Sequence, residues 1–60
     1  MLDVKVGDHV RVKREWNPMA PTRLVTYIDE VTREIDLDCT PVNGVRIRPA
    51  DYELWEKLDA

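Results

Sequence analysis

The clearest strand signal lies close to the start of the chain, in residues Val4-Lys5-Val6-Gly7-Asp8-His9-Val10-Arg11-Val12-Lys13-Arg14. Apolar and polar residues alternate on both sides of a Gly-Asp break, and a period of two residues is typical of a half-buried β-strand. We therefore expect Val10 and Val12 to face the core. His9 and Arg11, which alternate with them, are expected to face water.

Two further segments carry strand signals. Residues 23–28, RLVTYI, are rich in the β-branched and aromatic residues that fit a pleated surface. Residues 34–39, EIDLDC, return to strict alternation, and the polar residues 29–33 are expected to turn the chain between the two strands. Residues 15–22 contain two prolines and no sustained periodicity, which predicts the longest loop of the chain.

The alternation also predicts how the second hairpin pairs. A two-residue loop would place Cys39 opposite Arg48, which sets a core residue beside a charged one on the same face. A three-residue loop over residues 42–44, closed by a glycine in the left-handed conformation, places Cys39 opposite Ile47 and keeps both faces consistent. We expect the second register. It predicts an exposed ion pair between Asp38 and Arg48 across the strands, with Asp36 and Arg46 near enough to join it.

The segment 49–58 is compatible with two structures. Pro49 at a first-turn position and the spacing of Leu54 and Leu58 favour a short helix. The alternative is one 3₁₀ turn over residues 49–52, followed by a closing strand that buries Leu54 and leaves Trp55 on the other face. We favour the strand, because four strands alone would leave an exposed edge that a fifth covers.

The order of these elements resembles that of Src-homology-3-like small β-barrels. Residues 6–12, VGDHVRV, are similar to the VGDxVRV opening of many bacterial and ribosome-associated barrels, including KOW-type ones. The hairpin over residues 25–38 and the ending IRPADYEL at 47–54 fit the same template. The resemblance implies an all-β fold: a small five-stranded Src-homology-3-like barrel with a 3₁₀ turn before the last strand. It also implies an accessory protein of a bacterium, phage or plasmid.

Two branches of that fold are distinguished by single residues. Type II dihydrofolate reductases have a VQIYP strand whose glutamine and tyrosine line a pore, whereas residues 45–49 are VRIRP here, with arginine at both positions. Eukaryotic Src-homology-3 domains end in PxxY, which matches Pro49 and Tyr52, but this chain lacks their ALYDY segment. Neither reductase activity nor polyproline recognition is expected.

Length and composition set further bounds. The chain has 60 residues, of which 43% are hydrophobic and 35% charged, as expected for one folded domain spanning residues 1–60. No apolar run approaches the roughly 18 residues that a membrane span needs, and the start lacks the features of a signal peptide. We therefore expect a cytoplasmic protein without membrane contact. With Cys39 as its single cysteine, neither an internal disulfide nor a multi-cysteine zinc site is available.

The sequence lacks the residues of most catalytic sites. It has no serine, one histidine and one cysteine, so a Ser-His-Asp triad is excluded and a Cys-His pair would require Cys39 with His9. The alternation places Cys39 inward and His9 outward. Both glycines have turn roles, which leaves no glycine-rich phosphate loop. We therefore expect no enzyme, no cofactor and no metal.

Aromatic residues point to recognition. Trp16 and Met19 lie in the long loop, and Tyr52 and Trp55 lie near the end of the chain. In a barrel of this type the first loop meets the final turn, so Trp16, Met19 and Tyr52 are expected to line an apolar patch. Tryptophan and tyrosine often anchor interfaces, although a tryptophan can instead plug an open end of so small a barrel. We expect a non-catalytic interaction module that binds a protein partner through Trp16, Met19, Tyr52 and Trp55.

Two other partners are compatible with the sequence. Self-association has a physical motive, because a core of this size rarely supplies more than about 3–5 kcal/mol of stability. Nucleic acid is the alternative, bound in a KOW-like manner by a basic strip beside Trp16, although the net charge of -3 and the acidic second half weigh against it. The residues of this strip are Lys5, Arg11, Lys13, Arg14 and Arg23.

Overall fold

Five antiparallel strands form one open sheet in the computed structural model, which describes residues 2–58. Among these residues no helix is long and apolar enough to cross a membrane. The order of the strands across the sheet is β4-β3-β2-β1-β5. In chain order the elements are β1 (His9–Val12), β2 (Arg23–Ile28), β3 (Ile35–Leu37), α1 (Thr40–Asn43), β4 (Arg46–Ile47), a 3₁₀ helix (Pro49–Leu54) and β5 (Trp55–Leu58). The expectation of a mostly β chain with five strands is confirmed.

The end of the chain follows the favoured alternative, with two differences. A 3₁₀ helix precedes a closing strand, but the helix continues to Leu54 and takes that residue out of the strand. The expectation that Trp55 faces away from the core is wrong. Trp55 lies directly opposite Val12 in the β1–β5 ladder, and residues opposite each other in antiparallel strands share a face. Trp55 accordingly packs against the core.

The predicted register of the second hairpin is wrong. Ile35 pairs with Ile47 and Asp36 with Arg46, which is four positions away from the predicted pairing of Cys39 with Ile47. The short helix α1 stands where a three-residue loop was expected. The glycine is nevertheless left-handed, since Gly44 has φ 74° and its N–H donates to the Thr40 carbonyl at 2.8 Å.

A buried hydroxyl accounts for this register. The Leu37 N–H donates to Thr40 Oγ1 at 2.8 Å, and the Thr40 hydroxyl donates to the Val45 carbonyl. Leu37 and Val45 are the pair that would come next in the β3–β4 ladder after Asp36 and Arg46. The Thr40 hydroxyl therefore bridges one rung of the ladder and satisfies two backbone groups there.

The ion pairs between these strands move with the register. Arg46 Nε lies 3.1 Å from Asp36 Oδ1, as expected, but Arg48 lies 3.9 Å from Glu34 Oε2 instead of pairing with Asp38. All four side chains keep about a third or more of their surface exposed. At that exposure such pairs hold register and add little to stability.

The core is built from the inward residues of four strands. Five aliphatic side chains are almost fully buried, and Cys39 closes one side of the cluster. Half-buried residues pack around this cluster, among them Leu2 and Val4, which precede the first strand. The buried aliphatic residues are Val10, Val25, Ile35, Leu37 and Ile47.

A bulge in β2 changes which side chains face inward. Val25 lies opposite Leu37, but Tyr27 lies opposite Asp36, so β2 has one extra residue between Val25 and Tyr27. An extra residue resets the alternation and bends the strand. As a result Ile28 packs against the core, while the Tyr27 side chain is 57% exposed.

Candidate functional site

The loop over residues 13–22, which we call the first loop, carries two exposed apolar side chains. Trp16 is 61% exposed and Met19 is 88% exposed. A large apolar surface in water is unfavourable in proportion to its area. These two side chains are therefore the part of the first loop that gains most from contact with another molecule.

The backbone of the first loop is held by its own hydrogen bonds. The N–H groups of Trp16 and Asn17 both donate to the Lys13 carbonyl, at 2.9 and 3.0 Å. The Asn17 side chain accepts the Met19 N–H at 3.2 Å, and Arg14 Nη1 donates to the Pro18 carbonyl at 2.8 Å. The Asn17-Pro18 dipeptide favours such a turn. The loop thus presents Trp16 and Met19 from an ordered backbone.

A groove of about 230 Å³ lies between the first loop and the end of α1, and we call it the loop groove. The first loop contributes Asn17, Ala20 and Pro21 to its wall, and the segment after α1 contributes Val45. Trp55 also lines this groove. The structure therefore brings the first loop to Trp55, the first residue of the last strand.

Tyr52 lies elsewhere. Its hydroxyl donates to the Arg33 carbonyl in the turn between β2 and β3, and its ring packs against the core. It lines a second groove, of about 500 Å³, together with Tyr27 and Val6. It does not line the loop groove. None of Trp16, Met19 and Tyr52 lines the loop groove, so the expected patch is not formed there. Of the four predicted contact residues only Trp55 lines it, and Tyr52 and Trp55 come together instead in another groove beside Pro49.

Tyr27 and Val6 are exposed residues of the groove that Tyr52 lines, and sequence reasoning assigned neither of them to a site. Tyr27 owes its exposure to the bulge in β2, which leaves no local signal in the sequence. The alternation predicts Val6 in a strand, but β1 begins only at His9, and Val6 lies in a turn before it, where the Asp8 N–H donates to the Lys5 carbonyl at 3.0 Å. The alternation of residues 4–14 predicts Val6 as a strand residue and gives no signal that it lines a groove.

The basic residues of the predicted strip are dispersed. Arg11 Nε lies 2.9 Å from Glu56 Oε2 across the β1–β5 ladder, and Arg14 donates to a loop carbonyl. Lys5 lines the groove of Tyr52, whereas Arg23 lines the loop groove. Lys13 lines a third groove, of about 480 Å³, beside Pro49. The strip therefore does not line any one of these grooves as a unit.

Two carboxylates have shifted pKa values for structural reasons. Asp29 Oδ1 accepts the N–H groups of Thr32 and Val31 at 3.0 and 2.8 Å, which lowers the pKa of Asp29. The backbone N–H of Lys5 and the ammonium of Lys57 lower the pKa of Asp8 in the same way. Both groups are at turns, where their charged forms hold the backbone.

The two residues that a Cys-His pair would require differ in their exposure. Cys39 is buried at the N-terminus of α1, and His9 is exposed on β1. Among residues 2–58, no three acidic, histidine or cysteine side chains are close enough together to hold a metal ion.

Comparison of the chain with family models, with curated proteins and with solved structures finds no match.

Proposed function

We propose that this chain is a non-catalytic interaction module that binds a protein partner through the first loop. The observation that carries the proposal is the exposure of Trp16 and Met19 on a loop whose backbone is internally hydrogen-bonded. Tryptophan is among the residues that contribute most to binding at protein interfaces. An ordered loop also loses less conformational entropy when a partner binds than a mobile one would.

Trp55 and Tyr52 have a different role in this proposal. Both are half-buried and pack against the core, so most of their apolar surface is already removed from water. Trp55 forms a wall of the loop groove and offers a partner its exposed part only. Trp16 and Met19 therefore provide the larger share of the binding energy, and Trp55 shapes the adjoining surface.

The scaffold we propose for this loop is a barrel similar to the Src-homology-3-like family. The two edge strands, β4 and β5, are consecutive in sequence and are joined through the six-residue 3₁₀ helix. In a flat sheet, four strand spacings of about 4.8 Å would separate these edges by about 19 Å. A six-residue 3₁₀ helix rises about 12 Å, and the extended residue Arg48 and the step into Trp55 lengthen the connection to a similar distance. What favours a curled sheet is that Val10, Val25, Ile35, Leu37 and Ile47, all from this one sheet, are almost fully buried together.

Selection from random peptides displayed on phage tests the proposed function. We expect the full chain to enrich peptides whose binding depends on Trp16, with Trp16→Ala weakening Kd by about 30-fold, as is typical of a central interface residue. Because Trp16 is exposed, the variant should keep the circular dichroism spectrum of the parent chain. Val31→Ala is the matched control, since Val31 is 90% exposed on a different turn.

Two results would refute the proposed function. One is a selection that yields no peptide sensitive to Trp16→Ala. The other is binding to a single-stranded oligonucleotide that weakens steeply between roughly 50 and 200 mM salt while peptides fail to bind, since that dependence marks the neutralisation of phosphates. Sedimentation over a concentration series, on the parent chain and on Trp16→Ala, separates a second copy of the chain from a different protein as the partner.

A further inference from the structure

The polar side chains that line the loop groove share one property, which is that none carries a negative charge. They are Arg23, Asn17, Asn43 and the thiol of Cys39. The carbonyl oxygens of both asparagines are already engaged, since Asn17 Oδ1 accepts the Met19 N–H and Asn43 Oδ1 accepts the Val45 N–H at 2.9 Å. Each amide therefore has its NH₂ group left to donate. The groove offers hydrogen-bond donors in a chain whose net charge is -3.

Arg23 has no counter-ion within the described chain. Between residues 2 and 58, no carboxylate oxygen lies within 4.0 Å of its guanidinium, whereas Arg11, Arg46 and Arg48 each have such a partner. Arg23 is also half-buried. A cation that is partly removed from water attracts an anion more strongly than an exposed one does. The charge complement of this groove is therefore an anionic group.

The apolar part of the groove indicates what accompanies that anion. Val12, Val45 and Trp55 line the groove beside Arg23. Its volume of about 230 Å³ is below the range of roughly 300–1,000 Å³ in which small-molecule sites fall. A single cation also favours a carboxylate over a nucleic-acid backbone, which is generally neutralised by several lysines and arginines together. These dimensions suit one or two side chains of a peptide.

We infer that the loop groove binds an acidic peptide segment of a protein partner. A carboxylate side chain of that segment meets Arg23 and the amides of Asn17 and Asn43, and a neighbouring apolar side chain lies against Trp55. The inference rests on the proposed function and specifies the chemistry of the partner. It also assigns Arg23 to partner selection, because a charge-assisted hydrogen bond with good geometry discriminates a carboxylate from a neutral amide.

The test uses the peptides selected by the parent chain. We expect them to contain aspartate or glutamate next to an apolar residue. Replacing that acidic residue by its amide, or introducing Arg23→Gln, should each weaken Kd by about tenfold. The two changes together should weaken it little further, because they remove the same contact. Arg48→Gln is the matched control, since it removes one positive charge at a side chain that is 64% exposed and outside the loop groove.

The outcomes separate this inference from the proposed function. Peptides that depend on Trp16 but lack an acidic residue, or that bind Arg23→Gln as tightly as the parent chain, would overturn the inference and leave the proposed function standing. The absence of any Trp16-dependent peptide would overturn both. A dimer in sedimentation that Arg23→Gln dissociates would also overturn the inference, because the occupant would then be a second copy. Arg23→Lys keeps the positive charge and should retain most of the affinity for the peptide. That result would show that the lower affinity of Arg23→Gln comes from the lost charge and not from misfolding.

Discussion

The bridge made by the Thr40 hydroxyl provides the sharpest test of how this small sheet is held together. Thr40 is only 7% exposed, and its hydroxyl accepts the Leu37 N–H at 2.8 Å and donates to the Val45 carbonyl. Thr40→Val keeps the shape of the side chain and replaces the hydroxyl by a methyl group. The substitution therefore removes both hydrogen bonds and leaves two backbone groups without these partners.

The expected loss of stability is about 2–3 kcal/mol. Each net hydrogen bond contributes about 1 kcal/mol, and a buried donor left without a partner adds a desolvation penalty of about 1–3 kcal/mol, which overlaps in part with the first figure. At about 0.05–0.15 kcal/mol per residue, a domain of this length has a total stability of about 3–9 kcal/mol. Thr40→Val should thus remove between about a fifth and all of the stability, and lower Tm by roughly 8–24 °C.

Thr40→Ser is the matched control, because it keeps the hydroxyl and removes one methyl group, at a cost of about 1 kcal/mol. Urea unfolding, followed by tryptophan fluorescence and by circular dichroism, gives the free energy of unfolding of each variant. We expect Thr40→Val to be the less stable of the two by more than 1 kcal/mol. If the free energies of unfolding of the two variants differ by less than about 0.5 kcal/mol, the Thr40 hydroxyl does not stabilise the pairing of Leu37 with Val45, and our explanation of the register is wrong.

Three further predictions concern the turns and the ion pairs. Gly44→Ala should lower the free energy of unfolding in urea by about 1–2 kcal/mol, because φ is 74° there and a residue with a Cβ is strained at that angle. A new Cβ would meet no atom within 4 Å, so steric overlap adds nothing to this cost. Gly44→Asn should cost less, and equal costs would contradict this account. The pKa of Asp29 lies below its ordinary value of 3.8, so the stability that the Asp29 carboxylate contributes is fully present above pH 3.8 and is lost as the pH falls through the lower pKa of the folded chain. Asp29→Asn keeps an acceptor oxygen but does not titrate, so the Tm of this variant should change less than that of the parent chain between about pH 5 and pH 2. A double-mutant cycle on Asp36 and Arg46 should give a coupling of less than about 1 kcal/mol because both side chains are about one-third exposed, and a coupling of several kcal/mol would show that the pair does more than hold register.

The candidate site was only partly predictable from the sequence. The loop and its two exposed apolar residues follow from local signals, because prolines and asparagine break the strand pattern between residues 15 and 22. That Trp55 meets the loop, while Tyr52 bonds to Arg33, depends on the path of the 3₁₀ helix and on which face of β5 packs inward. Arg23 was grouped with the other basic residues, and only its position in the loop groove sets it apart.

The positions of most strands are readable from the amino-acid pattern, because a period of two is a property of neighbouring residues. The second strand spans residues 23–28 as predicted, and Pro49 marks the start of the 3₁₀ helix before the last strand. The register of β3 with β4 and the bulge in β2 are set by contacts made in the folded chain. Alternation is equally satisfied when a strand slides by two or four residues, so it cannot select a partner. The register depends on specific contacts that alternation does not encode, among which the hydrogen bonds of the buried Thr40 hydroxyl to Leu37 and Val45 are the clearest.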